Sequence, residues 1–260
     1  MKKPKSDSSR RSQLYKLEMP DGTTIVTAIP YVRYAVRDLI ASLAALEIEM
    51  RAFTLPTPAK IEAGRQLLRE QWPHRGIRIE GQDRDATIKE MVEKKFSYEQ
   101  AFRDTFNSRF MQIALPLVVN SAVLVEATIN LLLKVGLKNS DRLDLYDGIE
   151  RIDVAAKWSL GPAVFVHGYL LDKSKAHYSD LVKLVKHRNS FLHAKSEICD
   201  PSGKKLNESH KELRLDLGSS GRSHLRSFAS LSDRLVDQLL DQIGHSDLRA
   251  NLSLCKLDFF

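Results

Sequence analysis

The chain has 260 residues, of which 43% are hydrophobic and 28% are charged, so it can bury a core and is not disordered by composition. Aromatic residues are sparse at 7%, and this favours helices over strands. The formal net charge is +7, and the first twelve residues supply +4 of it, from five Lys or Arg against one Asp. The rest of the chain is therefore only mildly basic.

The basic segment 1–12 is predicted to be a disordered tail. Such a tail can bind nucleic acid or anionic lipid, or it can simply be solvated. No apolar stretch follows its lysines, so no signal peptide is predicted. Cys199 and Cys255 form no CxxC pair, which argues against a disulfide scaffold or a zinc knuckle.

A β-hairpin is predicted at the start of the ordered chain. Segments 14–19 and 23–28 alternate weakly between apolar and polar residues, and Pro20-Asp21-Gly22 between them is typical of a turn. Pro30 is expected to end the second strand.

The remaining elements are predicted to be helices, because apolar residues recur at three-to-four spacing between proline, glycine or polar breaks. These helices are expected at 31–53, 59–72, 86–95, 97–135, 147–158, 175–194 and 225–243. Pro116 is expected to bend or break the longest of them. Residues 200–223 are predicted to be a polar loop with a candidate strand at 213–217, and the chain is divided into 13–95 and 96–260.

The most apolar stretch, 113–133, is long enough to suggest a membrane span. It contains Pro116, Asn120, Glu126 and Asn130, and a charge and two amides inside a bilayer would cost several kcal/mol. We therefore predict a buried helix in a cytoplasmic protein without a membrane partner.

The helix predicted at 175–194 carries an apolar stripe that is expected to face the core. Val182 and Val185 lie in this stripe, Asn189 lies near its centre, and Arg188 and His193 lie at its edges. Burying polar groups is costly unless they find partners. The pattern indicates a functional cleft, a subunit contact or a satisfied polar core.

The sequence Arg188-Asn189-Ser190-Phe191-Leu192-His193 resembles the signature of the HEPN domains, in which Arg, a polar residue and a later His stand near the end of a late helix. The resemblance covers roughly residues 97–246. It implies a helical bundle, here with a small N-terminal hairpin, and a metal-independent ribonuclease without a cofactor. It also implies a homodimer that acts on RNA as a toxin or in defence against phage, with an antitoxin or another regulatory protein as partner.

The residue types suit this chemistry. RNA carries its own nucleophile, the 2′-hydroxyl. His193 can transfer protons near neutral pH, Arg188 can stabilise the developing phosphorane charge, and Asn189 can orient either of them. Arg188 and His193 are about 140° apart around one helix. They can meet at one phosphate only if the helix ends near His193 or if two copies meet, and the resemblance implies the second arrangement.

Other candidate residues follow from their position in the sequence. Lys183, Lys186 and His187 are predicted to contact RNA, although such side chains are often only solvated. Glu126 either pairs with a buried cation or supports the motif as an orienting carboxylate. No His, Cys or carboxylate group has the spacing of metal ligands. The alternative function is a non-catalytic helical module that uses the same face for dimerisation or for binding a protein or nucleotide.

Overall fold

The structure, a computed structural model, describes residues 15–19, 22–54, 58–71, 90–91, 93–94, 98–192, 217–244 and 246–256. The predicted tail at 1–12, most of the helix predicted at 86–95, and all but Leu217 of the candidate strand at 213–217 lie outside these residues.

The described chain is mainly helical and begins with a two-stranded antiparallel hairpin, as predicted. The strands are β1 (Tyr15–Glu18) and β2 (Thr24–Thr27). The helices are α1 (Ile29–Arg51), α2 (Pro58–Gln71), α3 (Tyr98–Asn139), α4 (Tyr146–Glu150), α5 (Val154–Leu160), α6 (Ala176–Leu192), α7 (Ser219–Ala229), α8 (Leu231–Asp241) and α9 (Ser246–Leu254). Short 3₁₀ segments occupy Leu143–Leu145 and Gly161–Val164.

The hairpin turn is closed by backbone hydrogen bonds. The amide of Met19 donates to the carbonyl of Thr23 at 2.7 Å, and that of Gly22 donates to the carbonyl of Met19 at 2.9 Å. Gly22 has φ of 79°, a left-handed conformation that glycine adopts without steric cost. The Met19 side chain is 7% exposed, so the hairpin contributes an apolar group to the interior.

The chain divides into two compact units. The larger unit comprises residues 1–40 and 115–260, so the hairpin belongs with the motif helix α6. The smaller unit comprises residues 41–114. Its described interior includes the rings of Phe53, Phe102 and Phe106, whose centroids lie 5.0 to 5.5 Å apart.

Helix α3 supplies much of the core of the larger unit. Leu117, Val125, Ile129 and Leu133 along it are buried. The helix continues through Pro116 without a break, so the expected break is absent.

A polar contact inside this core joins α3 to α8. The hydroxyl of Ser232 donates to that of Thr128 at 2.9 Å, and both residues are buried. The hydrogen bond satisfies two polar groups that would be costly to bury alone.

Two predicted helices are divided in the structure. The segment predicted at 147–158 becomes α4 and α5, because the carboxylate of Asp153 caps α5 by accepting from the amides of Ala155 and Ala156, each at 3.0 Å. The helix predicted at 225–243 begins earlier, at Ser219, and is interrupted at Ser230. Helix α9 was not predicted.

Helix α3 is long and apolar enough to cross a membrane, but 56% of its most apolar stretch is buried inside the protein. The core helix of a soluble protein meets the same criteria of length and composition.

The burial of the hairpin residue Met19 can be tested against an exposed neighbour. Met19→Ala should lower the free energy of unfolding by about 2 kcal/mol or more, because it leaves a cavity in a packed interior. Val26 is 52% exposed on the same hairpin, and Val26→Thr should change that free energy by less than about 0.5 kcal/mol. Urea denaturation measures both, and equal effects would contradict this packing.

Candidate functional site

Helix α6 buries a different face from the one predicted. Asp180, Leu181, Leu184 and His187 are buried, whereas Val182 and Val185 are only half-buried. The buried face is rotated by about 120° from the predicted stripe. The prediction was wrong because it counted apolar side chains only, and two polar residues occupy the face that packs.

Asp180 is buried because it has partners on α7 and α8. Its carboxylate accepts hydrogen bonds from the guanidinium of Arg234, at 2.9 Å, and from the hydroxyl of Ser227. The same guanidinium donates to the backbone carbonyl of Ser227 at 2.7 Å. This ion pair ties α6 to both later helices and fixes the rotation of α6 about its axis.

The rotation brings Arg188 against helix α3. Its Nη1 donates to Oε2 of Glu126 at 3.1 Å, and its Nε and Nη2 donate to Oδ1 of Asn189 at 3.2 and 3.1 Å. The Arg188 side chain is 25% exposed, so the guanidinium lies at the surface with a carboxylate behind it and an amide beside it. Two of the three predicted catalytic residues are therefore in direct contact.

Glu126 also contacts a second cation, Lys157 on α5. The ammonium of Lys157 lies 3.6 Å from Oε1 of Glu126 and donates to Oδ1 of Asn130 at 3.1 Å. Lys157 is 1% exposed, so these oxygens replace much of the water that a lysine normally keeps. Glu126 and Asn130 are four residues apart and face the same way along α3.

Helix α5 is held firmly where it delivers Lys157. The neighbouring Trp158 is fully buried, and its Nε1 donates to the carbonyl of Val125 at 3.3 Å. At Gly161, just after α5, a Cβ would lie 2.7 Å from a methyl carbon of Leu133, so the chain passes close to α3 there. Two positions that closely follow the lysine thus hold its helix against α3.

His187 points into the interior, and its burial argues against the predicted phosphate contact. It is 4% exposed, and its ring lies near the rings of Phe191 and Phe228, with centroids 6.3 and 5.7 Å away. Desolvation, followed by the charges of His224 and Lys183, lowers the pKa of His187 to about 4. The imidazole is therefore neutral at physiological pH.

The other predicted residues are separated from Arg188 or are not described. Lys183 and Lys186 are exposed, but they project about 140° and 160° around α6 from Arg188. They remain predicted contacts for RNA that passes along the outer face of the helix. His193 lies outside the described residues.

Sequence reasoning predicted a role for Glu126 but missed Lys157. A signal was present, because Glu126 and Asn130 interrupt the most apolar helix at i and i+4 and therefore require a shared polar partner. Lys157 stands next to a tryptophan in a short helix, where a buried cation is unusual. Linking the two segments needed the tertiary structure.

Within the described ranges, no three His, Cys, Asp or Glu side chains form a group that could hold a metal ion. Comparison with protein-family models, curated proteins and solved structures gave no match for this chain.

The neutral burial of His187 should make stability depend on pH. The pKa is lower in the folded state than its ordinary 6.5, so the unfolded state binds the proton more strongly and stability is lost as pH falls from 6.5 towards 4. His187→Leu removes this loss. The free energy of unfolding of His187→Leu, measured relative to that of the wild type, should therefore increase by up to about 3 kcal/mol between pH 7 and pH 4. A difference that is constant with pH in urea denaturation would contradict this burial.

Proposed function

We propose that this protein is a metal-independent endoribonuclease of the HEPN type, in which the 2′-hydroxyl of RNA attacks the adjacent phosphate. Arg188 stabilises the charge of the phosphorane, His193 transfers protons, and Asn189 orients Arg188. The observation that carries the proposal is the guanidinium of Arg188, held at the surface by Glu126 and Asn189. An arginine fixed in this way needs little reorganisation when it meets a phosphate.

The hydrogen bonds of Arg188 leave capacity for a ligand. A guanidinium has five N–H donors, and three of them are used on Glu126 and Asn189. The other two have no partner among the residues that the structure describes. Two N–H groups of one guanidinium match two oxygens of a phosphate.

A homodimer completes the proposed site. Arg188 faces α3, and a regular continuation of α6 would carry His193 about 140° away from it. One helix cannot aim both side chains at a single phosphate, so a second copy supplies the missing group across a two-fold axis.

The proposed setting is the cytoplasm, where the protein acts as a toxin or in defence against phage under the control of an antitoxin or another regulatory protein. Lys183 and Lys186 bind the RNA backbone that passes along the outer face of α6. Each such contact should make binding more sensitive to salt.

A second candidate function is a non-catalytic helical module for dimerisation or for binding a protein or nucleotide. One observation favours it: the charge of Arg188 is already paired with Glu126. A polar contact of this kind can serve only to fix how the helices pack.

The two functions differ in what single substitutions do. Cleavage of mixed RNA in EDTA should fall by a factor of about 10² or more in His193→Ala and in Arg188→Ala, because each removes a group that acts in the transition state. Arg188→Lys should recover little, since a point charge lacks the planar fork. Asn189→Ala should lie between these and the wild type, because it orients Arg188. Gel analysis with circular dichroism as a folding check measures this series.

Arg109→Ala is the matched control, because Arg109 forms an exposed pair with Glu49 in the smaller unit and should leave cleavage unchanged. Light scattering on the same samples should give a dimer. A wild type without ribonuclease activity, combined with strong destabilisation in Asn189→Ala, would instead support the non-catalytic module. A strict monomer that cleaves RNA would contradict the shared site.

A further inference from the structure

Three charges meet at Glu126, and the two cations use different oxygens of its carboxylate. Oε2 accepts from Arg188 at 3.1 Å, whereas Oε1 faces the ammonium of Lys157 at 3.6 Å. The cluster therefore carries one cation more than it has anions.

The extra cation is unusual because it is also the more deeply buried one. Arg188 alone would neutralise Glu126, yet Lys157 is enclosed at 1% exposure beside the same carboxylate. Burying an ammonium costs several kcal/mol unless its surroundings compensate. A purely structural pair needs only one cation, so the second calls for an explanation.

Another arginine in the chain provides an internal comparison. Arg109 binds Glu49 with both ends of its fork, Nη1 to Oε2 at 2.6 Å and Nη2 to Oε1 at 2.8 Å. This two-point pairing is what arginine and carboxylate favour geometrically. Arg188 instead binds Glu126 through Nη1 alone and turns Nε and Nη2 towards Asn189.

We propose that Lys157 is a positioning residue, which retains Oε1 of Glu126 and so prevents the carboxylate from capturing Arg188 at two points. The two remaining N–H donors of Arg188 and the net positive charge of the cluster then stay available to a phosphate group. Lys157 is too deeply buried to contact that phosphate and acts only through Glu126. This inference deepens the proposed function and rests on it in taking phosphate as the ligand of Arg188.

The test is the affinity of the full-length protein for inorganic phosphate, followed through the NMR signal of the Arg188 Nε–H group. Lys157→Met keeps the length of the side chain and removes the charge. It should weaken phosphate binding about tenfold, the value of one hydrogen bond to a charged group. In a Glu126→Gln background the same substitution should have no effect, because the neutral amide no longer competes for Arg188.

Lys256→Met is the matched control, since it makes the same substitution at another lysine of the larger unit, whose ammonium lies 2.6 Å from the carboxylate of Asp237 and makes no contact with Glu126 or Arg188 in the described structure. It should leave phosphate affinity unchanged. An equal loss of affinity from Lys157→Met in the wild type and in the Glu126→Gln background would overturn the proposal. It would mean that Lys157 acts through the electrostatic field of its charge or through general packing, and not through Glu126. Should Lys157→Met not fold, Glu126→Gln alone must bind phosphate at least as tightly as the wild type, and weaker binding overturns the proposal.

RNA cleavage by the same variants separates this inference from the proposed function. If the wild type binds phosphate with the expected pattern but does not cleave RNA, the positioning role of Lys157 stands and the ribonuclease proposal fails. If RNA is cleaved but Lys157→Met binds phosphate and cleaves as the wild type does, the positioning role fails alone.

Discussion

A carboxylate inside an apolar helix is the constraint on which the rest of the larger unit depends. The buried charge beside it is Lys157, which is 1% exposed and would be strongly destabilising without a partner; its partner carboxylate belongs to Glu126, whose side chain is 36% exposed. Lys157 from α5 and Arg188 from α6 compensate this carboxylate from two sides. Both helices therefore lie close to one point of α3.

Several local features bring about this convergence. Asp153 starts a new helix, α5, that delivers Lys157, while Trp158 and Gly161 hold that helix close to α3. On the other side, the pair between Asp180 and Arg234 sets the rotation of α6 and so turns Arg188 towards α3. The surface arginine is held in place by Glu126, which also contacts the buried Lys157, and fixed placement of this kind favours both catalysis and specific binding.

The sequence predicted the hairpin and most helices, because periodicity and turn residues are local signals. It failed where polar side chains decide the packing: the stripe of α6 centred on Val182 and Val185 missed the buried Asp180 and His187. Arg188 and Asn189 were found from their spacing and resemblance to a family, and Glu126 from its interruption of an apolar run. Lys157 could not be linked to them, because that contact joins segments 31 residues apart.

The central claim is that Arg188 remains able to bind phosphate while Glu126 holds it. A crystal structure of the protein with a short RNA carrying 2′-O-methyl groups, which cannot be cleaved by 2′-hydroxyl attack, tests this directly. The account predicts one phosphate within hydrogen-bonding distance of Arg188, with Nη1 still on Oε2 of Glu126 and His193 of the second copy near the same phosphate. RNA bound with every phosphate away from Arg188 would contradict it.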